Sequence, residues 1–299
     1  MIPSLRIGTA GWSYPHWNGV VYPKNRAGGF HPLDFLARTF SLVEINSSFY
    51  QPIKPELAAV WVRKVEANPD FQFTAKLQRR FTHERVLEAG EVEEFKRGLG
   101  PLLRADKLGA LLMQFPWSFR FTGENRDHLI RLRRTFHEFP LVAEMRHDSW
   151  LAEEALGTFL DYKIGFCNVD QPEYTRAMPA TSVLTSGVGY IRLHGRNPKN
   201  ALGAFDPQAQ RKGQHDYLYS QQELEEWTAR AQQIGRFAER VHVIFNNDAS
   251  AKSFVNALQM RAATSSLRGA PPIGLRRQFP VELEPFGPGY AQQLLFPAA

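Results

Sequence analysis

Cysteine is almost missing from this chain of 299 residues, which contains only Cys167. One thiol cannot close an intramolecular disulfide, and it cannot build a multi-cysteine metal cluster. Cys167 lies inside a short apolar run, where a buried thiol packs as a small apolar side chain and is inert. We therefore expect a fold held together by its core in a reducing compartment.

Long apolar runs are also missing. No stretch approaches the roughly 20 residues that a membrane-spanning helix needs. Met1 is followed almost directly by the first predicted strand, which leaves no room for a signal peptide. We expect a cytoplasmic protein that makes no contact with a membrane.

Several motifs that would identify an activity are absent. No G-x-G-x-x-G follows the first predicted strand, which weighs against dinucleotide binding. The chain has no P-loop, no Gly-x-Ser-x-Gly nucleophile elbow, no Cys/His dyad and no H-E-x-x-H spacing. Without these motifs, the sequence does not identify a reaction.

The charge is modestly positive, with 36 Lys and Arg residues against 30 Asp and Glu residues and a formal net charge of +6. This excess permits an anionic partner, including nucleic acid. It is too small and too dispersed to establish nucleic-acid binding, since a solubilising surface charge gives the same count.

Eight short apolar runs are present and alternate with segments of helical periodicity, a pattern typical of βαβ units and a parallel sheet. The chain lacks the dinucleotide-binding motif that would favour an open sheet. We therefore predict a single (β/α)8 barrel of the TIM type, in the α/β class. The predicted strands are Arg6–Gly11, Leu42–Ser48, Phe71–Leu77, Leu108–Phe115, Leu141–Arg146, Lys163–Asp170, Tyr190–Gly195 and Val241–Asp248. The predicted helices are His31–Phe40, Pro55–Ala67, Val92–Arg104, Arg126–His137, Trp150–Tyr162, Gln221–Ala238 and Ser250–Ala262.

The predicted barrel domain covers residues 1–263, and an irregular extension rich in Pro and Gly covers residues 264–299. Two long loops are expected, Gln171–Val188 after strand six and Arg196–Gln214 after strand seven. We expect the first to hold a further strand-like segment at Thr181–Thr185. Long loops at the carboxyl ends of barrel strands are often functional.

Every predicted strand ends in polar, charged or aromatic residues. In a (β/α)8 barrel the carboxyl ends of the strands form the face that carries the active site. Because residues two apart share a face of a strand, Glu44 lies with Asn46, and Glu144 lies with Arg146. The candidate catalytic residues are Glu44, Glu144, His194 and Asp248. The candidate substrate-binding residues are Trp12, Tyr14, Asn46, Tyr50, Lys76, Gln114, Arg146, Trp150, Asp170, Arg192 and Asn246.

The expected charge balance of this site is four acids against three fixed bases and one histidine. A divalent-metal site needs carboxylates or imidazoles without competing cations, so we assign no metal ligands. A metal bridging Glu44, Glu144, His194 and Asp248 is the alternative. We expect Lys76 to pair with Glu44 or Glu144 and to bind anions as an ammonium, with a Schiff-base role as the alternative.

These polar segments also resemble a known family. The segments are Gly8–Tyr14, Val43–Tyr50, Phe73–Lys76, Thr82–His83, Gln114–Pro116, Glu144–Trp150, Arg192–Arg196 and Phe245–Asp248. Together they resemble the YecE-like proteins that contain domain of unknown function 72, over about residues 8–263. The resemblance implies a TIM-type barrel and no particular reaction. Barrels of the endonuclease IV and xylose isomerase type differ in carrying a histidine-rich metal cluster, which this sequence lacks.

Three hypotheses of function follow. The first is an enzyme that acts by acid–base chemistry on a small polar, anionic or sugar-containing molecule. The second is a protein that binds or processes nucleic acid, with or without a metal. The third is a barrel that binds a ligand without converting it. Neither a cofactor nor an oligomeric state follows from the sequence.

Overall fold

Eight parallel strands close into one barrel in the computed structural model, which describes residues 5–26, 28–198, 215–264 and 271–286. The strands follow one another around the barrel in chain order, and the last pairs with the first. They are β1 (Leu5–Ala10), β2 (Leu42–Ile45), β3 (Gln72–Lys76), β4 (Leu108–Gln114), β5 (Leu141–Glu144), β6 (Gly165–Asp170), β7 (Val188–Leu193) and β8 (Arg240–Phe245). The predicted (β/α)8 barrel is confirmed.

Helices cover the outside of the barrel. They are α1 (Pro32–Thr39), α2 (Pro55–Lys64), α3 (Arg79–Thr82), α4 (Ala89–Arg104), α5 (Gly123–Thr135), α6 (Glu153–Asp161), α7 (Gln221–Gly235), α8 (Lys252–Thr264) and α9 (Ile273–Gln278). None of the helices in the described ranges is long and apolar enough to cross a bilayer.

Local sequence explains several helix ends. Pro32 and Pro55 occupy the first helical positions of α1 and α2, where a missing N–H costs nothing. Ser220 begins α7 with a capping box, since its hydroxyl accepts from the N–H of Glu223 and the Glu223 carboxylate accepts from the N–H of Ser220. The helix predicted from Trp150 begins at Glu153 instead, because Asp148–Leu151 forms a 3-10 turn.

The loop between β6 and β7 departs from the prediction. Thr181–Thr185 forms no strand, so that expectation is wrong. The fully buried Asn168 takes the place of a strand partner. Its Oδ1 accepts from the Val183 N–H and from the Thr181 hydroxyl, each at 2.7 Å, and its Nδ2 donates to the Val183 carbonyl at 3.0 Å. The side chain of Asn168 thus satisfies the backbone N–H and C=O of Val183, and these two groups need no hydrogen bonds to a neighbouring strand.

The C-terminal extension is less irregular than expected. It contains α9, and Leu275, Phe279 and Leu283 are buried. A Cβ on Gly274 would lie 2.2 Å from the carbonyl oxygen of Gly19, so α9 packs directly on the loop that follows β1. The division of the chain at residue 263 stays a prediction. Most of the predicted loop Arg196–Gln214 lies outside the described residues.

The main apolar core lies between the strands and the helices, whereas the interior of the barrel is partly polar. The core includes Phe40, Trp61, Phe95, Leu132, Phe159 and Trp227. Inside the barrel, His242 lies 3.1 Å from Oε1 of Gln72, and Glu44, Thr74 and Arg192 are fully buried. Buried polar groups need hydrogen-bond partners. The contacts inside the barrel therefore determine which polar side chains remain available to a ligand.

Asn168 provides a direct test of the loop. We expect Asn168→Ala to lower the free energy of unfolding by about 2–4 kcal/mol, because it leaves buried backbone groups without partners. Thr181→Val removes only one hydroxyl donor and should cost about 1 kcal/mol. Urea unfolding of both variants measures the difference, and equal costs would contradict this account of the loop.

Candidate active site at the barrel mouth

Arg192 lies at the centre of the barrel and joins three strands. Its guanidinium is fully buried on β7. Nη2 donates to Oε1 of Glu44 on β2 at 2.7 Å, and Nη1 donates to Oε2 of Glu144 on β5. Burial alone would lower the pKa of Arg192, but Glu144 and Glu44 outweigh burial and raise it. Arg192 is therefore permanently charged and acts as a clamp between the two carboxylates.

A neutral hydroxyl and a neutral thiol lie beside the two carboxylates that Arg192 joins. The hydroxyl of Tyr190 lies 3.1 Å from Oε2 of Glu44 and 3.0 Å from Oγ1 of Thr74. The Cys167 sulfur lies 4.0 Å from Oε2 of Glu144. Burial raises the pKa of both Tyr190 and Cys167 well above their ordinary values. Cys167 therefore stays a thiol, which is a poor nucleophile.

Arg146 binds the other side of Glu144. Its Nε lies 2.6 Å from Oε1 of Glu144, and its Nη1 donates to Oε1 of Gln171 at 2.7 Å. Burial would raise the pKa of Glu144, but Arg146 and Arg192 together hold it well below its ordinary value. At neutral pH Glu144 is ionised and has no proton to donate. The geometry makes it a positioning group for two arginines, and its catalytic role stays a prediction.

His194 is neutral and held by two neighbours. Its Nε2 lies 3.0 Å from Nη2 of Arg146, and its Nδ1 lies 2.9 Å from the side-chain amide of Asn246. Nδ2 of Asn246 faces Nδ1, and Nε2 lies between Nη2 of Arg146 and Oε1 of Glu144, which is 3.4 Å away. Burial and the charge of Arg146 lower the pKa of His194 well below its ordinary value.

His215 also belongs to this site, although it is not among the residues predicted from the sequence. Its ring forms a hydrogen bond with the backbone of His194, while its Nδ1 has no partner among the described residues. Burial and the charges of Arg192 and Arg146 lower its pKa to about 4. His215 lies in a loop and not at a strand end, so no periodicity marks it. The only signal is its place after β7, on the face where active-site loops gather.

Lys76 has no anionic partner among the residues that the structure describes. It ends β3, is partly buried, and its Nζ lies 5.3 Å from the ring centroid of Phe49. The expected pairing with Glu44 or Glu144 is wrong, because arginines already hold both carboxylates. Burial and Arg192 lower the pKa of Lys76 to about 8, although Glu44 and Glu144 act in the opposite direction.

Two of the four expected acids serve other parts of the fold. Oδ1 of Asp248 accepts from Nε1 of Trp17 at 3.0 Å and from the Ser253 hydroxyl at 2.7 Å. Both carboxylate oxygens of Asp170 accept from Nε of Arg196 at 3.0 Å. Burial raises the pKa of Asp248 to about 6 and also raises that of Asp170. The expected balance of four acids against three bases is therefore wrong for the charged cluster around Arg192.

Three of the remaining polar candidates lie close to this cluster. Oε1 of Gln114 accepts from Nη1 of Arg192 at 3.3 Å. Asn46 hydrogen-bonds with Tyr14, whose hydroxyl also donates to the carbonyl of Ala10. Burial raises the pKa of Tyr14, so it remains a neutral hydroxyl. These groups can contact a polar ligand, and that role stays a prediction.

The predicted aromatic contacts are scattered. Trp150 is fully buried, stacks on Phe119 at 5.4 Å and donates from Nε1 to the carbonyl of Phe119, so it offers no surface to a ligand. Trp12 packs edge-on against Trp61 of α2 at 5.2 Å. Tyr50 is 73% exposed beside Phe49. Of these three, Trp150 is buried, Trp12 is partly buried and Tyr50 is exposed to solvent.

No three His, Cys, Asp or Glu side chains come together as metal ligands in the described part of the chain. Of the four residues named for a bridging metal, Glu144 lies 3.4 Å from His194 and shares Arg192 with Glu44, whereas Asp248 faces Trp17 and Ser253. The charged cluster is thus organised around guanidinium groups.

A closed parallel barrel with a charged cluster at the carboxyl ends of its strands defines a TIM-type (β/α)8 protein. The chain belongs to the family described as protein of unknown function DUF72, whose profile matches residues 6–276. The resemblance seen in the sequence is confirmed.

Relatives and solved structures agree with this assignment. UPF0759 protein YunF of Bacillus subtilis is 27% identical over 86% of this chain and 93% of its own. UPF0759 protein YecE of Escherichia coli is 30% identical over 38% of this chain and 39% of its own. A DUF72 family protein from Thermotoga maritima has a TM-score of 0.74 and 30% identity, and covers 87% of this chain and 98% of its own. Another from Enterococcus faecalis has a TM-score of 0.75 and 27% identity, over 87% and 95%.

Glu144 tests the clamp. We expect Glu144→Gln to lower the free energy of unfolding at pH 7 by about 3–5 kcal/mol, because it leaves buried guanidinium charge uncompensated. The folded pKa lies below the unfolded value of about 4.5, so the contribution of the carboxylate is complete above that pH. It is lost as the pH falls further, and the cost of the substitution should shrink between pH 5 and pH 3.

The matched control is Glu88→Gln, since Glu88 is 66% exposed and pairs with Arg80 at the surface. This change should cost less than about 0.5 kcal/mol at every pH. Urea unfolding across the pH range measures both variants. A Glu144→Gln cost that is small, or that does not fall with pH, would refute the clamp.

Proposed function

We propose that the barrel mouth binds a small anionic molecule, such as a phosphorylated sugar or a carboxylic acid, and that the protein is an enzyme acting on it by acid–base chemistry. The observation that carries this proposal is Lys76, a cation at a strand end with no anion beside it among the described residues. We retain a cytoplasmic location as part of the proposal.

The charge of the cluster supports an anionic ligand. Arg146, Arg192 and Lys76 contribute three positive charges, whereas Glu44 and Glu144 contribute two negative ones. His194 and His215 add none at neutral pH, because their pKa values are lowered. An excess of positive charge in a partly buried space attracts anions more strongly than the same charge at the surface.

Free hydrogen-bond donors also favour an anion. An ammonium has three N–H donors, and Lys76 uses none of them in the described residues. A guanidinium has five, of which Arg146 commits three to Glu144, Gln171 and His194. Lys76 and Arg146 therefore keep donors for a carboxylate or phosphate, groups that such cations recognise well.

Proton transfer is best assigned to His215. Arg146 and Asn246 occupy both ring nitrogens of His194, so that ring is better suited to positioning. His215 is neutral and its Nδ1 lone pair has no partner among the described residues, as a general base requires. Glu44 and Glu144 then orient the arginines and do not themselves act as acid and base.

The other two hypotheses receive less support. The excess positive charge of the cluster around Arg192 lies in the mouth of the barrel, where a phosphate backbone that follows a surface has little access, so it favours a small ligand over nucleic acid. A barrel that binds without converting its ligand shares the same anion site. That alternative differs in having no use for the free nitrogen of His215.

Lysine variants test the anion site. We expect phosphate, citrate, glucose 6-phosphate or pyruvate to raise the melting temperature, with at least one of them binding in a calorimeter. Lys76→Met should weaken that binding roughly 10- to 100-fold through loss of a charged donor, whereas Lys76→Arg should keep most of it. Lys163→Met is the control, because Lys163 is exposed just before β6, at the opposite end of the barrel.

Two results would overturn the anion site: no anion stabilises the protein, or Lys76→Met binds as tightly as the natural chain. For a ligand that binds, proton NMR then follows its conversion. His215→Gln should abolish conversion while binding remains. Conversion unaffected by this change would remove His215 as the base, and binding without any conversion would favour the non-catalytic alternative.

A further inference from the structure

We propose that Lys76 forms a Schiff base with a small aldehyde or ketone that carries a carboxylate or phosphate group. The inference deepens the proposed function, because it rests on the same anion site. It assigns Lys76 a covalent role in addition to an electrostatic one.

The contacts of the two glutamates leave Lys76 without a counter-ion among the described residues. One carboxylate oxygen of Glu44 binds Arg192 and the other lies beside the Tyr190 hydroxyl. One carboxylate oxygen of Glu144 binds Arg192 and the other lies 2.6 Å from Arg146. Each carboxylate oxygen thus lies beside an arginine or the Tyr190 hydroxyl, and among the described residues neither glutamate forms an ion pair with Lys76.

Burial and Arg192 favour the neutral amine. Together they outweigh the opposing effect of Glu44 and Glu144, and the pKa of Lys76 falls to about 8. At pH 7 roughly one Lys76 in ten is then the free amine, against about one in 2,500 for an ordinary lysine. Only the free amine can attack a carbonyl carbon.

The Ser48 hydroxyl holds the backbone of Lys76 in place. The Ser48 hydroxyl accepts from the Lys76 N–H at 3.0 Å and lies 2.8 Å from the Lys76 carbonyl oxygen. The far end of the side chain lies over the ring of Phe49. A nucleophile fixed at its base and free at its tip is suited to attack a ligand held by another group.

The neighbouring residues define the ligand. Arg146 keeps two N–H donors that suit a carboxylate or phosphate, and Lys76 supplies the amine. A molecule that meets both must carry an anionic group close to a carbonyl group. 2-Oxo acids and phosphorylated aldehydes or ketones have this combination.

The reaction balances without an oxidant or reductant. The Nζ lone pair forms a bond to the carbonyl carbon as the C=O π bond opens, and a proton moves from nitrogen to oxygen to give a carbinolamine. A second proton, taken from solvent, converts that hydroxyl into water. The C–O bond then breaks with loss of water, and the nitrogen lone pair forms the protonated imine.

Reductive trapping tests this role on the full chain. The protein is incubated at pH 7 with glyoxylate or glyceraldehyde 3-phosphate and with cyanoborohydride, and its peptides are analysed by mass spectrometry. We expect one reduced adduct per chain, on Lys76, formed at least tenfold faster than on any other lysine. Acetone, which carries no anionic group, should label Lys76 much more slowly.

Variants separate this proposal from the anion site. Lys76→Arg should still bind phosphate but give no adduct, whereas Lys163→Met should give the same adduct as the natural chain. If Lys76→Arg fails to fold, Lys76→Gln replaces it, and far-ultraviolet circular dichroism checks each variant.

The possible failures are distinguishable. If phosphate binds but neither carbonyl compound labels Lys76 faster than exposed lysines, the Schiff base is wrong and the anion site stands. Equal labelling by acetone shows a reactive amine without anion recognition, which overturns the proposed ligand class. If no anion binds and no adduct forms, the proposed function and this inference both fail.

Discussion

The buried guanidinium of Arg192 is the interaction on which the site depends. Burying one charge inside a barrel is costly, and here Glu44 and Glu144 compensate it from two other strands. The three residues come from β2, β5 and β7, so the ion pairs also fix how these strand ends sit relative to one another. With both carboxylates committed to arginines, the remaining cation at the mouth is left without a partner among the described residues.

The charged residues at the strand ends therefore fall into two groups. Asp170 and Asp248 hold loops and helices in place through Arg196 and through Trp17 and Ser253. The residues around Arg192 instead face the interior, where water is scarce and electrostatic effects are larger. The lowered pKa values of Lys76, His194 and His215 all follow from burial next to fixed positive charge. Two neutral imidazoles and a partly neutral amine beside fixed positive charge are a suitable environment for chemistry on an anion.

Much of the fold was predictable because it depends on local patterns. Apolar runs of strand length alternate with helical periodicity, and residues such as Pro32, Pro55 and Ser220 mark helix starts. The position of the site also followed, since polar strand ends meet on one face of a parallel barrel. Thr181–Thr185 was misjudged because its strand-like composition cannot show that the side chain of Asn168 satisfies its backbone.

The ion pairs and hydrogen bonds of the site could not be predicted in the same way. Glu144 and Asp170 both lie at strand ends, yet one faces the interior and the other faces Arg196. Which acid meets which base depends on the direction of each side chain in three dimensions, and sequence spacing within one strand does not determine it. Trp150 was misplaced for the same reason, and His215 was missed because a loop residue carries no periodic signal.

The central claim is that Arg192 and Arg146 occupy both glutamates and leave Lys76 as a partly neutral amine. A carbon-13 NMR titration of lysine Cε measures this directly, with the Lys76 signal assigned by its absence in Lys76→Arg. The account predicts a pKa of about 8 for Lys76. A pKa at or above the ordinary lysine value of about 10.4 would show that a carboxylate holds the ammonium after all, and would contradict the account.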